Sequence, residues 1–155
     1  MPIASNTART LDLLGIPYRV YEHSQLPTSL EDAARQRGQE PGQIIRSILF
    51  RHAQEYFVMV LMAGPEQISW KRVRAHLGVS RISMATETEV RAVTGYEIGT
   101  VNPFGMPQPV RILADVSVFK PEVISIGSGV RGTAIIMQSK DLQKALGKIE
   151  IGVFA

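Results

Sequence analysis

Apolar residues recur along the chain at two spacings, which predict an alternation of short helices and strands. Residues 5–14 carry apolar side chains at every third position up to Leu14, a spacing typical of a helix with one buried face. Gly15 and Pro17 follow at once and terminate this helix. Polar and apolar residues then alternate over residues 18–23, which predicts a strand.

Sequences of the form Thr-x-x-Glu mark the starts of two later helices, because the hydroxyl and the carboxylate can each accept an otherwise unbonded backbone amide. The first runs from Thr28 to Glu31 and predicts a helix to about residue 37, ended by Gly38. The second runs from Thr86 to Glu89 and predicts a helix ended by residue 95. Two more helices are predicted, at residues 69–77 and 139–146.

Segments dense in β-branched and aromatic residues predict the strands. The strongest pair, residues 44–50 and 56–62, is separated by a short turn and predicts a hairpin at the centre of a sheet, buried on both faces. Further strands are predicted at residues 110–115, 123–126, 133–137 and, at an edge, 148–154. This pattern predicts a mixed α/β (α+β) fold, with a single central mixed β-sheet or partial barrel flanked by short helices.

Composition adds exclusions to this picture. A chain of 155 residues with 45% hydrophobic and 20% charged residues predicts a single domain over residues 1–155 and excludes a disordered protein. The absence of cysteine excludes disulfides, thiolate catalysis and cysteine zinc sites. His23, His52 and His76 stand at unrelated spacings, so a histidine-rich metal site is not predicted.

Charge and hydropathy bear on location and partners. The net charge of +3 permits a nucleic-acid partner without requiring one. No apolar stretch approaches the roughly 18 residues of a membrane span, and the N-terminal ten residues lack the pattern of a secretory signal. We therefore predict a soluble cytoplasmic protein, and the short edge strands favour a monomer.

The long loop at residues 96–108 is the first candidate for chemistry, since long loops in compact domains are often functional. Within it, the stretch from Gly99 to Pro103 combines a glycine, which lets backbone approach a ligand, with a proline, which stiffens the return. Such a segment can aim backbone amides at one point, as an oxyanion hole requires. An ordinary irregular turn has the same spacing and is the alternative.

Arg46 and a glycine-rich loop are further candidates. Arg46 interrupts an apolar strand, so it either faces a polar cleft, where it could bind a carbonyl or phosphate oxygen, or lies at a solvated edge. It cannot act as a general base. Gly127, Gly129 and Gly132 lie between two predicted strands and could cradle a phosphate or form a hairpin with a bulge.

Residues 70–81 contain four basic residues and no acidic one. A helix carrying them could hold a phosphate backbone without reading its sequence. A merely solvated basic face is the alternative. The basic residues are Lys71, Arg72, Arg74 and Arg81.

In this order, these stretches resemble the YbaK/EbsC family of aminoacyl-tRNA deacylases, which is related to the editing domain of bacterial prolyl-tRNA synthetase. The resemblance covers nearly the whole chain. It implies a mixed sheet with flanking helices, a cleft, no metal or organic cofactor, and hydrolysis of the ester bond of a mischarged aminoacyl-tRNA. The stretches that carry it are residues 13–18, 21–23, 44–50, 84–96 and 99–105, Asp115, and the glycines at 127, 129 and 132.

The resemblance also implies roles for residues, with the acceptor end of an aminoacyl-tRNA as partner and a transient contact with a synthetase. The terminal ribose hydroxyl of the tRNA would help to activate water. The catalytic positions are Arg46, Gly99, Thr100, Val101, Asn102 and Pro103. The substrate-binding positions are Tyr21, His23, Ser47, Met84, Gly127, Ser128 and Gly129. The tRNA-binding positions are Lys71, Arg72, Arg74 and Arg81.

Arg46 stands where the family usually has a lysine that is central to activity. An arginine keeps the charge but not the reach, shape or proton chemistry of a lysine. We therefore expect either a trans-acting deacylase that proofreads mischarged tRNA, or a homologue that binds the aminoacyl-tRNA 3′ end or a small ligand without cleaving it. An esterase for small aminoacyl or acyl esters is a third alternative.

Overall fold

The computed structural model describes residues 4–155. Residues 1–3 lie outside the described residues. Two predictions include them: that the N-terminal ten residues are not a secretory signal, and that residues 1–155 form one domain. The helices are α1 (Asn6–Leu13), α2 (Leu30–Arg37), α3 (Trp70–Leu77), α4 (Glu87–Thr94) and α5 (Ser139–Leu146). The strands are β1 (Arg19–Glu22), β2 (Ile45–Ala53), β3 (Tyr56–Ala63), β4 (Ser83–Met84), β5 (Arg111–Asp115), β6 (Val123–Gly127), β7 (Thr133–Gln138) and β8 (Glu150–Gly152). Two short 3-10 helices are Pro41–Gln43 and Val116–Phe119.

The strands lie in two sheets. A five-stranded sheet has the order β4-β2-β3-β5-β8, in which β2 is antiparallel to both its neighbours while β3, β5 and β8 are parallel. A three-stranded antiparallel sheet has the order β1-β7-β6. An isolated parallel bridge between Ile44 and Ser125 connects them. The predicted mixed class is confirmed, and the strands divide between two sheets instead of lying in one.

The main core lies between the two sheets, and β3 is buried on both faces as predicted. Met59 and Leu61 of β3 belong to the same buried cluster as Ile124 and Ile126 of β6. On the other face of β3, Val58, Val60 and Met62 belong to a second cluster that includes Val73 of α3. The continuous apolar run of this strand follows from this burial on both faces.

Most predicted helix ends are confirmed, and the start of α2 is a correction. The Thr86–Glu89 capping box forms at α4, which ends at Gly95. At α2, however, Ser29 is the capping residue, and its hydroxyl accepts from the Asp32 amide. Thr28 does not cap the helix, because its amide (3.0 Å) and its hydroxyl (3.4 Å) both donate to the Asp32 carboxylate, and it lies two residues before Leu30.

Two further differences concern single segments. Leu14 was expected on the buried face of α1, yet it is 51% exposed, because the helix ends one residue earlier and buries Thr7, Ala8 and Leu11 instead. β2 continues to Ala53, so the turn of the hairpin is shorter than predicted. The predicted edge strand near the C-terminus is confirmed as β8.

Asp115 connects the end of β5 to the C-terminal residues. Its carboxylate accepts from the Phe154 amide (2.7 Å) and from the Ser117 amide (3.0 Å). Burial acts to raise the pKa of Asp115, but these hydrogen bonds outweigh it and lower the pKa below its ordinary value. Phe154, thus held, is 1% exposed and closes the second core cluster.

Candidate functional site

A cavity of about 250 Å³ lies at the open edge of β2. In the part of the chain that the structure describes, β4 pairs with β2 only at Phe50 and Arg51, so the first half of β2 has no strand beside it on that edge. Gly99 and Val101 of the long loop and Ile126 and Gly127 of β6 line the cavity together with this edge. The cavity is therefore enclosed by segments that are distant in the sequence.

Several residues proposed from the sequence meet at this cavity. The lining includes, among the predicted catalytic and substrate-binding positions, Arg46, Ser47, Met84, Gly99, Val101 and Gly127. The remaining predicted positions lie behind the lining or away from it. The fold thus brings the β2 arginine and two residues of the Gly99–Pro103 segment, Gly99 and Val101, to one cavity.

Arg46 is half-buried and is held by backbone carbonyls. Its Nε donates to the oxygen of Gly64 (2.7 Å) and its Nη2 to the oxygen of Glu66, both in the loop after β3. Burial lowers the pKa of Arg46 from its ordinary value. The guanidinium is therefore neither a freely solvated edge group nor wholly available to a ligand, since two of its five N–H donors are committed.

The Gly99–Pro103 segment presents backbone amides. Gly99 has a φ of +94°, a conformation that favours glycine, and the Thr100 amide donates to the oxygen of Glu97 (3.0 Å). Among residues 4–155, no acceptor takes the amide hydrogens of Gly99 and Val101, both of which line the cavity. These two amides are the donors that the segment can offer to a carbonyl oxygen.

Asn102 supports this segment from behind. Its side chain is fully buried, donates to Thr7 Oγ1 (2.7 Å) and the Thr100 oxygen (3.2 Å), and accepts from the Phe104 amide (2.9 Å). Thr7 in turn donates to the Tyr96 hydroxyl (2.9 Å), whose pKa is raised by burial. These bonds connect α1 to both sides of the Gly99–Pro103 segment. Like Thr100 and Pro103, Asn102 does not line the cavity.

The glycine-rich loop packs against the same segment. A Cβ on Gly127 would lie 2.6 Å from the Val101 oxygen, and the Gly129 amide donates to the Thr100 oxygen (3.1 Å). The Ser128 hydroxyl donates to the Val130 oxygen (2.9 Å) and is hydrogen-bonded to the Thr133 hydroxyl (2.6 Å), within the same turn. The structure thus brings Gly127 to the cavity, while Ser128 and Gly129 are used in packing two loops together.

Tyr21 and His23 lie outside the cavity lining. Arg37, which connects His23 to the cavity, was not predicted from the sequence. The Tyr21 hydroxyl donates to the Gln36 oxygen (2.6 Å), and His23 Nε2 accepts from Arg37 Nε (3.0 Å). Arg37 itself lines the cavity. The pattern of α2 gave no signal for it, since a basic residue in a last helical turn is ordinary.

The basic residues proposed to bind tRNA point to solvent. Lys71 and Arg72 are exposed on α3, Arg74 is half-buried, and Arg81 is exposed beyond the helix. None of these four forms an ion pair with an acidic residue in 4–155. The α3 surface therefore carries positive charge that no acidic residue of the described range neutralises.

Within residues 4–155 no helix has the length and apolar character needed to cross a bilayer. Over the same range no three side chains of His, Asp or Glu come together as a group that could hold a metal ion.

Comparison with known proteins identifies the class. Residues 23–145 match the model of the aminoacyl-tRNA editing domain, and the chain belongs to this family. The uncharacterised protein YwhH of Bacillus subtilis is 30% identical over 125 residues, which cover 81% of this chain and 79% of YwhH.

Other relatives include synthetases and a solved structure. A proline–tRNA ligase of Kosmotoga olearia is 40% identical over 78 residues, which cover 50% of this chain and 13% of the ligase. A solved structure named as a candidate trans-editing enzyme for prolyl-tRNA synthetase superposes with a TM-score of 0.85, covers 98% of both chains and is 24% identical. This last similarity shows a shared fold.

Proposed function

We propose that this protein is a trans-acting aminoacyl-tRNA deacylase, which hydrolyses the ester bond between a wrong amino acid and its tRNA. The observation that carries the proposal is that Arg46, Gly99 and Val101 line one cavity, and that the amides of Gly99 and Val101 have no acceptor among the described residues. Membership of the editing-domain family supports it, as do relatives named for prolyl-tRNA synthetase and its editing.

In the proposed reaction, water adds to the ester carbonyl and the bond from carbon to the ribose oxygen breaks. The Gly99 and Val101 amides receive the developing oxyanion, and Arg46 contributes positive charge. Loss of one oxyanion donor typically raises a barrier by about 2.7–4 kcal/mol, which is roughly a 100- to 1,000-fold loss of rate. The ribose oxygen takes up the proton, and free amino acid and tRNA leave.

The proton of the attacking water needs an acceptor. Among the described residues, no carboxylate and no imidazole lines the cavity. A side-chain general base is therefore absent from this scheme, and the neighbouring hydroxyl of the terminal ribose is the group that we assign to activate the water. The exposed cations of α3 would meet acceptor-stem phosphates and make binding salt-dependent.

A deacylation assay on a panel of mischarged tRNAs tests the proposal. A Cβ at Gly99 would meet no atom within 4 Å, but alanine would be strained at the positive φ. Gly99→Ala therefore disturbs the backbone conformation of the loop without a steric clash. We expect a rate loss of about 100-fold or more for Gly99→Ala, a loss also for Arg46→Ala, and an unchanged rate for Gly42→Ala, which has open space and no positive φ. No turnover above the spontaneous rate on any substrate would overturn the enzyme proposal.

A binding module without catalysis is the second candidate. The observation in its favour is that backbone carbonyls of Gly64 and Glu66 hold the guanidinium of Arg46. Tight binding of aminoacyl-tRNA without hydrolysis would support it, and a gain of hydrolysis in Arg46→Lys would show that the arginine had removed the activity. Equal rates on tRNA esters and small aminoacyl esters would instead indicate a general esterase.

A further inference from the structure

Arg37 carries a positive charge that no acidic residue of the described chain neutralises. Its Nε donates to His23 Nε2 (3.0 Å) and its Nη1 to Ser125 Oγ (2.8 Å), and both acceptors are neutral side chains in this arrangement. No Asp or Glu of residues 4–155 lies within ion-pair distance of it. Removing a charge from water with no opposite charge nearby costs free energy, and an anionic ligand in the cavity would offset that cost at Arg37.

Ser47 provides a second, independent observation at the same cavity. Its hydroxyl is buried and has no hydrogen-bond partner among the described residues. Buried polar groups are nearly always hydrogen-bonded, and an exception calls for a functional explanation. Because Ser47 lines the cavity, rotation of its side chain about χ1 can turn this hydroxyl toward a bound group, which then supplies the missing partner.

The charges of the lining limit which group that is. Arg37 and Arg46 line the cavity together with Ser47 and Thr133, and no acidic residue of the described chain does. The other lining residues are apolar or glycine, and the volume of about 250 Å³ suits one amino-acid side chain rather than a nucleotide. Two cations repel a positive side chain and attract a negative one, so an anionic side chain gains most from this site.

We propose that the cavity selects an acyl group whose side chain ends in a carboxylate, a glutamyl or aspartyl group, with Arg37 binding that carboxylate and Ser47 donating to it. This proposal rests on the proposed function and specifies its substrate class. A guanidinium can bind a carboxylate through two parallel N–H bonds, and such charge-assisted bonds are about twice as strong as neutral ones. Arg37 retains one Nη1 hydrogen and both Nη2 hydrogens for this contact.

The test compares two ligands that differ only in charge. The probes are 3′-deoxyadenosines that carry glutamate or glutamine through a 3′-amide, which resists hydrolysis. By calorimetry we expect the glutamyl compound to bind about 10- to 100-fold more tightly to the wild type. Arg37→Gln should reduce this preference to less than about threefold, and Ser47→Ala should weaken it.

Arg35→Gln is the matched control, because Arg35 lies on the same helix but is exposed and paired with Asp32. It should leave the preference unchanged. Equal wild-type affinity for both compounds overturns the proposal. So does equal weakening of both by Arg37→Gln, which would place Arg37 on the nucleoside. Should Arg37→Gln fail to melt cooperatively, Arg37→Lys and the wild-type comparison still decide.

Hydrolysis assays separate this inference from the proposed function. Preferred hydrolysis of glutamyl- over glutaminyl-tRNA supports both. Hydrolysis that favours neutral acyl groups overturns the inference and leaves the deacylase proposal standing. A glutamyl preference in binding, with no ester hydrolysed, supports the inference about the cavity and overturns the deacylase proposal.

Discussion

Gly127 lies where β6 touches the loop that lines the cavity, and there is no room for a side chain. Because a Cβ would lie 2.6 Å from the Val101 oxygen and 2.8 Å from the Thr100 oxygen, Gly127→Ala must push the loop outward. We expect a loss of about 1–3 kcal/mol in the free energy of unfolding and a fall in deacylation of about 100-fold. Urea unfolding and kcat/KM measure the two effects.

Gly42→Ala again serves as the control for this substitution, since it should change neither quantity. An unchanged kcat/KM in Gly127→Ala, with the stability lowered as expected, would mean that the position of the Val101 amide does not matter to the reaction.

The sequence suggested some residues of the candidate site and gave no sign of others. Arg46 and the Gly99–Pro103 segment were found because their residue types are unusual in their local pattern. Thr7 and Arg37 were missed because their meaning lies in contacts across the chain: Thr7 bonds to Tyr96 at a separation of 89 residues, and Arg37 to Ser125 at 88. A local pattern does not contain such partners.

At the scale of elements, α3 offers a prediction in which affinity and stability move in opposite directions. Lys71 and Arg72 lie in the first turn, where positive charge opposes the helix dipole. Lys71→Glu with Arg72→Glu should therefore keep or raise the melting temperature. The same change should lower tRNA affinity about tenfold or more at low salt and reduce the slope of log K against log salt by about one or two.

Lys140→Glu is the matched control, since Lys140 is also exposed at the second position of a helix, α5. It should leave tRNA affinity unchanged. If the α3 double variant binds tRNA as the wild type does, the basic face is simply solvated, and the tRNA approaches from another side. Filter binding over a salt series measures both variants.

Elements were predictable where a local signal determines them. Gly38 and Gly95 ended helices as expected, because a left-handed residue stops a helix locally. The start of α2 was not decidable, since Thr28 and Ser29 can both cap and the choice depends on the Asp32 side chain. The parallel pairing of β3, β5 and β8 could not be predicted from local sequence either. Parallel strands are joined by long connections and not by a short turn with a recognisable sequence.

At the scale of the whole molecule, Glu150 joins three elements and predicts a pH dependence. Its carboxylate accepts from Arg111 Nε (2.6 Å) and Nη2 (2.7 Å) on β5, and from His76 on α3. Arg111 chiefly, and then His76, lower the pKa of Glu150 to about 2 from an ordinary 4.5, against a smaller opposing effect of desolvation. This stabilisation is therefore complete above pH 4.5 and disappears as the pH falls towards 2.

We expect Glu150→Gln to lower the free energy of unfolding at pH 7 by less than about 1 kcal/mol, because the pair is exposed to solvent. The difference from the wild type should shrink steadily below pH 4.5 and be mostly lost by pH 2, where half of the Glu150 carboxylates of the folded protein are protonated. Urea titrations at pH 7, 4 and 2 measure it. Glu55→Gln, an exposed turn residue, is the control. A wild-type advantage as large at pH 2 as at pH 7 would mean that packing, not charge, accounts for it.

The hydrogen bonds of Thr7 and the contacts of β8 determine which residues a chimaeric protein must contain if this domain is to fold in it. The segment that matches the family, residues 23–145, begins after α1 and ends before β8. A chimaera that received only this segment would lack the hydroxyl that holds Asn102 behind the cavity, and would leave the edge of β5 uncovered. The smallest segment that keeps these contacts is therefore longer than the residues that match the family, and a chimaera must also include α1 and β8.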